Sequence, residues 1–362
     1  MTHSGTTAAR RPTLAAVAAR AGVSVSTASL AFSGAGPVAE STRERVRAAA
    51  AELDYAGPDP RGRSLRSGRS GIVGVVLQER VLEAFRDPIN IAVLDGIAQE
   101  VSPQGRALLL LADMGESAHA VQTTVMDAIV LVACSPAIAR TIEQARRRDV
   151  PIVAIGGPVV PGVLSVSIDD RAATAELARH LAGLGHRDVA MVTLPLDLDR
   201  TRGPLTEERI AASTTMVADE RILGVRDVFP GAGGVVASGS YVDEGVLAGH
   251  ALLADPTHRP TAVVAQSDLL AAGVIRAAQE CGLRVPEDLS VVGFDGVRVD
   301  DAVPHDLTTM VQPAAEEGRA AGRAVLALLD GTDAADGAAP ESVAFTCTFH
   351  RGATTAPPRA TT

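Results

Sequence analysis

Nothing in this chain limits its fold more than the alternation that begins at Ile72. Short, uninterrupted apolar runs recur at IVGVVL (72–77), RALLLLA (106–112), AIVLVA (128–133), PIVAIG (151–156), VLSVSI (163–168), DVAMVT (188–193), GVVASG (234–239), TAVVAQ (261–266) and LSVVGF (289–294). Between several of them lie stretches of helical periodicity, among them Ile91 to Val101, Ala137 to Arg148, Arg171 to Leu184 and Asp268 to Cys281. A strand that is apolar at every residue has no face for water and must be covered on both sides. Such strands, separated by helices, predict parallel sheets wrapped by their own crossovers, an α/β fold. Nine strands overfill one compact sheet, so two doubly wound parallel-sheet subdomains are expected. Sheets of this kind bind ligands beyond the carboxyl ends of their strands, which makes the cleft between the halves the expected site.

The first 70 residues follow a different pattern. Residues 1–12 read as a disordered tail. From Thr13 onward Leu14, Val17, Ala18 and Ala21 repeat at helical spacing, with Thr13 placed to cap the helix and Gly22 to stop it. After the turn Gly22-Val23-Ser24, a second helix sets Ala28, Ala31 and Phe32 on one side and Ser26, Ser29, Leu30 and Ser33 on the other. Ser41-Thr42-Arg43-Glu44 has the form of a capping box, with Val46, Ala50 and Leu53 on one face behind it. Helix, tight glycine turn and helix make a helix-turn-helix, whose second helix enters the major groove of DNA. The segment GPDPRGRSLRSGRSG that follows is a linker rich in proline, glycine and arginine, suited to phosphates.

Charge is divided in the same way. Every basic chain of the Lys/Arg type is arginine, and residues 1–70 hold ten arginines against five acids, a net of +5; with −10 overall, the remainder carries −15. A small basic module ahead of a large acidic body suits an N-terminal segment that meets a polyanion. No run approaches the roughly 18 apolar residues of a membrane span, and the polar start lacks the apolar core of a signal peptide, so a cytoplasmic location is expected. Cys134, Cys281 and Cys347 are isolated, which predicts buried small side chains and neither a disulfide framework nor a metal site.

The ordered strings TLAAVAARAGVSVSTAS, VAESTRERV, LDY and the arginine-leucine linker resemble the DNA-binding headpiece of the lactose-repressor (LacI/GalR) family of bacterial regulators. The body resembles it too, through DVPIVAIG, SVSIDDRAATAELARHLAGLGHRDVAMVT, ERILGVRDVF, TAVVAQSDLLAAGVIRAAQECGLRVPEDLSVVGFD and LTTMVQPAAEEGRAAGRAVLALLDG, covering roughly residues 13–331. The resemblance implies a lambda-repressor-like helix-turn-helix at 13–56, a hinge at 57–71, and a periplasmic-binding-protein-like core. Its subdomains are expected to be 72–168 with 295–325 and 169–294 with 326–350, ahead of a disordered tail at 351–362. It also implies a transcriptional regulator, mostly a repressor, that dimerises on near-palindromic operator DNA and takes a small effector, a sugar or nucleobase-type molecule.

Transferred by position, Thr13, Ser24, Thr27, Ser29 and Thr42 match phosphate-contacting residues, work suited to hydroxyls and helix N-termini. Val25, Ser26 and Leu30 match base-reading positions, and Leu65, beside Arg63, matches the hinge leucine that wedges into the minor groove. Leu30 departs from a frequent arginine, removing a guanine contact worth about 1–3 kcal/mol of discrimination. Gly62 stands where alanine is usual, at a cost of roughly 1 kcal/mol in a helix.

For the effector the resemblance implies Asp87 and Asn90 after the first strand, Arg221 in an R-x-x-G turn with Gly224, Ser267 with Asp268, and Asp295 at a strand end. Arginine and aspartate suit polar, hydroxyl-bearing ligands. The bland readings are that Asp268 caps its helix and Arg221 forms a surface ion pair. Sugar sites stack rings on aromatic side chains, and only Phe85 and Phe294 offer that here. The polar loop Leu194 to Ser213 reads as a lid or an insertion.

An enzyme is not expected. His180, His186, His250, Asp169 and Asp170 match no nucleophile motif, no phosphate loop and no dinucleotide fingerprint, so no cofactor is predicted, and His186 reads as a structural turn residue. The competing reading is a small-molecule-binding protein of the same fold whose headpiece no longer recognises DNA. One strand, Ser342 to His350, is expected near the end, and with no leucine heptads after Leu329 a homodimer is expected rather than a coiled-coil tetramer.

Overall fold

The computed structural model describes residues 12–33, 36–57, 68–77, 81–112, 118–132, 138–157, 159–299, 306–331 and 341–359. They divide into two compact units, Met1–Ser70 and Gly71–Thr362.

In the first unit, α1 (Leu14–Ala21), α2 (Val25–Ser33) and α3 (Glu40–Glu52) pack through Val17, Ala18, Ala28, Ala31, Val46, Ala49 and Ala50. Thr13 Oγ1 accepts the Ala16 N–H at 3.3 Å, and Gly22 ends α1 in the left-handed region, φ 67°. Ser24 Oγ accepts the Thr27 N–H at 3.0 Å and so caps α2. The two helices meet at 102°, inside the range of about 90–120° for this motif. The capping box does not form. Helix α3 starts at Glu40, and its N-cap Ala39 makes no side-chain bond; the Glu40 carboxylate favours the helix dipole instead.

The second unit holds two sheets. Strands β1 (Ile72–Leu77), β2 (Ala107–Ala112), β3 (Ala128–Val132), β4 (Ile152–Ile155), β5 (Leu164–Ile168) and β12 (Val343–Phe345) form a parallel six-stranded sheet in the order β12-β5-β4-β3-β1-β2. Val75, for example, pairs with Leu110 on one side and Val130 on the other. Strands β6 (Val189–Thr193), β7 (Gly203–Pro204), β8 (Gly234–Val236), β9 (Ala262–Ala265), β10 (Ser290–Asp295), β11 (Thr308–Val311) and β13 (Thr348–His350) form the other, in the order β13-β11-β10-β9-β6-β8-β7. Its centre is parallel and both edges are antiparallel. Each sheet is filled on both faces by aliphatic side chains, as the continuous apolar runs require.

The chain crosses between sheets three times, and the crossings differ from expectation. The strand at 308–311 pairs with β10 and belongs to the second sheet, whereas the helix Ala314–Asp330 packs on the helix Pro88–Val101 and on β3, β4 and β5 of the first. Sequence periodicity shows that a strand exists but not which edge accepts it. The single strand expected at 342–350 is two: β12 joins β5 and β13 joins β11, with Thr346 and Cys347 bridging the halves. Nor are residues 351–359 a disordered tail. Thr354 is fully buried, donating to the Val291 carbonyl at 2.7 Å and accepting the Thr308 N–H at 3.0 Å. The tail thereby closes the amino ends of β10 and β11.

The segment 194–213 is an anchored insertion rather than a lid. It contributes the edge strand β7 and the helix Glu207–Ala211, and it drives Leu196 and Leu205 into the core. Among the described residues, no single helix is long and apolar enough to cross a membrane.

Candidate DNA-reading helix and effector cleft

Helix α2 buries Ala28 and Ala31 and turns its other side outward, with Val25 50% and Leu30 39% exposed and Ser26 open beside them. Thr13 and Ser24 are also exposed, and Thr27, Ser29 and Thr42 are half-buried. Capping occupies a lone pair of a hydroxyl and leaves its O–H to give. Thr13 therefore caps α1 and keeps a donor for a phosphate. Ser24 and Thr27 share one hydrogen bond at 2.8 Å, which leaves one O–H between them.

The arginines of the folded headpiece are largely committed. Arg20 pairs with Glu52 at 2.5 Å, and Glu40 lies 3.6 Å from Arg43 and 3.5 Å from Arg47. Residues 13–57 hold four arginines and four acids, so the excess positive charge sits in the stretches before and after them. Arg63, Leu65 and Gly62 lie outside the described residues, as does Cys134.

In the core unit, the helix Met216–Arg226 carries Arg221, which is only 5% exposed. Its Nε donates to Asp170 Oδ1 at 2.7 Å, and its Nη1 donates to the Gln266 carbonyl at 2.5 Å and lies 3.7 Å from Asp295 Oδ1. The guanidinium carbon sits 3.6 Å above the Phe294 ring, a cation–π contact. The R-x-x-G spacing has a packing cause. A Cβ on Gly224, one turn beyond Arg221, would fall 2.5 Å from the Arg171 carbonyl, so glycine lets this helix press on the helix Asp170–Leu184. That contact brings Arg221 to Asp170.

These groups stand where strands end. Asp170 follows β5, Gln266 follows β9 and Asp295 closes β10. Asp295 adopts φ 117°, left-handed and unusual for a side chain with Cβ, the kind of strain that collects at functional sites. Asp87, after β1, caps the helix Pro88–Val101 by accepting the Ile89 N–H at 2.9 Å, and both Arg221 and Asp295 act on it electrostatically. Asn90 is half-buried in the first turn of that helix. Glu317, 5% exposed near the start of the helix Ala314–Asp330, feels Asp170 and Arg221.

Burial governs the electrostatics here. It raises the carboxyls of Asp87, Asp170 and Asp295 above their ordinary range, against the pull of Arg221. Burial also pushes Glu317 up to about 7, with Asp170 adding repulsion, and the Cys347 thiol up to about 12. Burial alone would lower Arg221, but Asp170 and Asp295 hold it above its ordinary value.

The structure brings Arg221, Asp295 and Asp87 together, with Asn90 on the same helix as Asp87. Ser267 and Asp268 have other work. Ser267 Oγ caps its helix by accepting the Leu270 N–H at 3.2 Å and also receives the Ser240 hydroxyl at 2.8 Å. Asp268, fully buried and pushed up to about 7 by burial, accepts the Thr309 hydroxyl at 2.6 Å and the Val297 N–H at 2.8 Å. It staples β9 to β10 and β11, and Gly293 makes room for it, since a Cβ there would lie 2.1 Å from its Oδ1.

Phe294 is sealed beneath Arg221 at 1% exposure and offers no face to a sugar, whereas Phe85 is 58% exposed. The surface ion pair read for Arg221 is thus a buried one. Sequence reading singles out neither Gln266 nor Glu317, and names Asp170 only among the polar groups considered for catalysis. For Glu317 a signal existed: it falls with Ala314, Ala321 and Val325 on a buried stripe at helical spacing, where an acid is out of place.

Among the described residues no group of three His, Cys, Asp or Glu side chains is arranged to hold a metal ion. The polar groups considered for catalysis meet different partners: Asp169 caps a helix, His180 bonds Thr355, His186 bonds Thr261, Ser290 and Ala356, and His250 pairs with Glu280.

Residues 13–57 match the family model for bacterial regulatory proteins of the lacI family, and residues 178–355 match the periplasmic binding protein-like domain. The chain is 36% identical over 331 residues to the HTH-type transcriptional regulator Rv3575c of Mycobacterium tuberculosis, covering 88% of this chain and 91% of that protein. It is 29% identical to the HTH-type transcriptional repressor CytR of Escherichia coli, covering 88% of this chain and 89% of that one. The crystal structure of the lac repressor dimer bound to operator and the anti-inducer ONPF shares the fold, with TM-score 0.75 at 21% identity over 96% of this chain and all of that one. The chain therefore belongs to the lacI family of bacterial regulatory proteins, as a helix-turn-helix transcriptional regulator with a periplasmic-binding-protein-like core.

Proposed function

We propose that this regulator is a cytoplasmic homodimeric repressor. It docks α2 in the major groove of a near-palindromic operator and is switched by a small polar effector held between the two halves of its core. The observation that carries the reading is the buried ionic cluster of Asp170, Arg221 and Asp295. It lies at the carboxyl ends of strands from both sheets and reaches Asp87 across the cleft. An effector that re-pairs those charges changes how the halves meet, and differential contact with two states is what a switch requires.

On DNA, Thr13, Ser24, Thr27, Ser29 and Thr42 hold phosphates, Val25, Ser26 and Leu30 meet base edges, and Arg63 and Leu65 serve the hinge. In the cleft, Arg221 and Asp295 orient the effector, with Asp87 and Asn90 closing over it from the other half. The test is a gel shift on the upstream region of the protein's own gene, repeated with every compound that raises the unfolding temperature of the full chain. The proposal expects at least one such compound to change operator affinity about tenfold, a coupling of about 1.4 kcal/mol. Compounds that stabilise the core while leaving operator affinity unchanged contradict it.

A further inference from the structure

Among the described residues, the buried cluster around Arg221 has more carboxylates than cations. Asp87, Asp170, Asp268, Asp295 and Glu317 each feel Arg221, which among the described residues is the cation common to all five. Its Nε and Nη1 already serve Asp170 and Gln266, with Asp295 alongside and Phe294 under its plane. Asp268 is satisfied by Thr309 and Val297, and Asp170 by Arg221. Glu317 is different. It is 5% exposed, and its Oε1 is buried with no hydrogen-bond partner.

Leaving a buried carboxyl oxygen unpaired is costly, and a leucine at this place on the helix would cost nothing of the kind. Protonation does not remove the need, because the neutral acid keeps a carbonyl oxygen that still accepts a hydrogen bond. What resolves it is a donor brought from outside, and with five acids around Arg221 as the one cation that the described residues set against them all, a positively charged donor gains most. An anionic ligand entering the same space meets Asp170, Asp295 and Glu317, with Arg221, already paired to Asp170, as the cation that the described residues set against it.

We infer that the effector of this cleft is a small molecule bearing an amine cation, that its ammonium group docks on Glu317 beside Asp170, and that anionic metabolites are rejected. The inference rests on the cleft being the effector site and names the chemical class that fills it.

The test uses the full chain and two matched probe series: ethanolamine, ethylene glycol and glycolate, then glucosamine, glucose and gluconate. Unfolding temperature is read for the wild type and for Glu317→Gln. In at least one series the amine is expected to raise the wild-type transition more than its neutral and acidic partners, and Glu317→Gln is expected to abolish that advantage. Without any probe, Glu317→Leu is expected to melt higher than the wild type, because an unpaired buried acid has been replaced by an apolar group.

The inference is overturned if an acidic probe stabilises as well as its amine, if the amine advantage survives in Glu317→Gln, or if Glu317→Leu melts lower. It is also overturned if no amine shifts the transition. A neutral or acidic probe that stabilises the wild type and changes operator affinity refutes the cation and leaves the cleft as the effector site. Probes that stabilise without altering operator affinity count against the switch itself.

Discussion

Replacing Arg221 by methionine keeps most of the side-chain volume and removes the charge, which isolates the buried cation. Asp170 and Asp295 are then left without their partner at 9% and 8% exposure. Breaking a buried pair by deleting one member costs roughly 3–5 kcal/mol. At about 2 °C per kcal/mol for a unit of this size, the transition falls by roughly 6–10 °C.

The sign of the pH dependence follows from the shifts. Burial already raises Asp170 and Asp295 with Arg221 in place, so losing the cation raises both further. A carboxyl whose folded pKa exceeds its unfolded value contributes stability that is complete below the unfolded value and lost as pH rises through the folded one. The deficit of Arg221→Met is therefore smallest near pH 4–5, about where free carboxyls titrate, and grows toward pH 8. Asp87, Asp268, Glu317 and Cys347 face the same cluster; Arg221 also lowers Asp268 and Glu317, both near 7 with it in place, so losing it raises them too and adds to the deficit in the same direction. Comparing the variant with Arg221→Met/Asp170→Asn separates the Asp170 contribution. Thermal unfolding followed by circular dichroism across this range is the assay. A deficit below about 1 kcal/mol, or one that does not change with pH, refutes the account of the cluster.

Other consequences are equally direct. Thr354→Val removes the acceptor of the Thr308 N–H and the donor to the Val291 carbonyl, and at about 1–3 kcal/mol per orphaned group urea unfolding should lose roughly 2–6 kcal/mol. A loss within error would mean the tail beyond Arg351 does not clamp the sheet. Gly293→Ala forces a Cβ against Asp268 Oδ1, so a cost of about 1–3 kcal/mol is expected, and Asp268→Asn is expected to leave that cost largely in place. Ser24→Ala removes the α2 cap and should cost the headpiece about 0.5–2 kcal/mol, seen as faster amide exchange in α2 than in α3. Leu30→Arg, screened against randomised operators, should acquire a preference for guanine at one position per half-site; an unchanged preference would place Leu30 away from the bases.

The layered core was legible because uninterrupted apolar runs permit few alternatives, and strands β1 to β6 and β8 to β10 lie where those runs are. What the runs could not carry was assignment between sheets. Thr308–Val311 reads as a short mixed segment, and its place beside β10 is decided by Asp268, which reaches Thr309 from another element. The tail was misread for the same reason. Small and polar residues suggest disorder, yet Thr354 is buried because two strand ends offer it a donor and an acceptor.

At the cleft, Arg221 and Asp295 were visible as motif positions. Asp170 and Glu317 acquire meaning only when the crossovers bring β5, β10 and the helix Ala314–Asp330 to one place. In the headpiece, the hydroxyl-lined face of α2 was plain from spacing, while the neutrality of the folded part was hidden by the positive total of the first 70 residues.

The central claim is that α2 reads a specific operator, and the direct measurement is an affinity ratio. Fluorescence anisotropy of the full chain should be taken on its own upstream DNA and on scrambled DNA of equal length, at one physiological salt concentration. The account predicts a specific site bound at least about a thousandfold more tightly than the scrambled one, with the preference reduced in a Val25→Ala/Ser26→Ala variant. Equal affinity for both DNAs would contradict it and leave a cleft-bearing protein that touches DNA through charge alone.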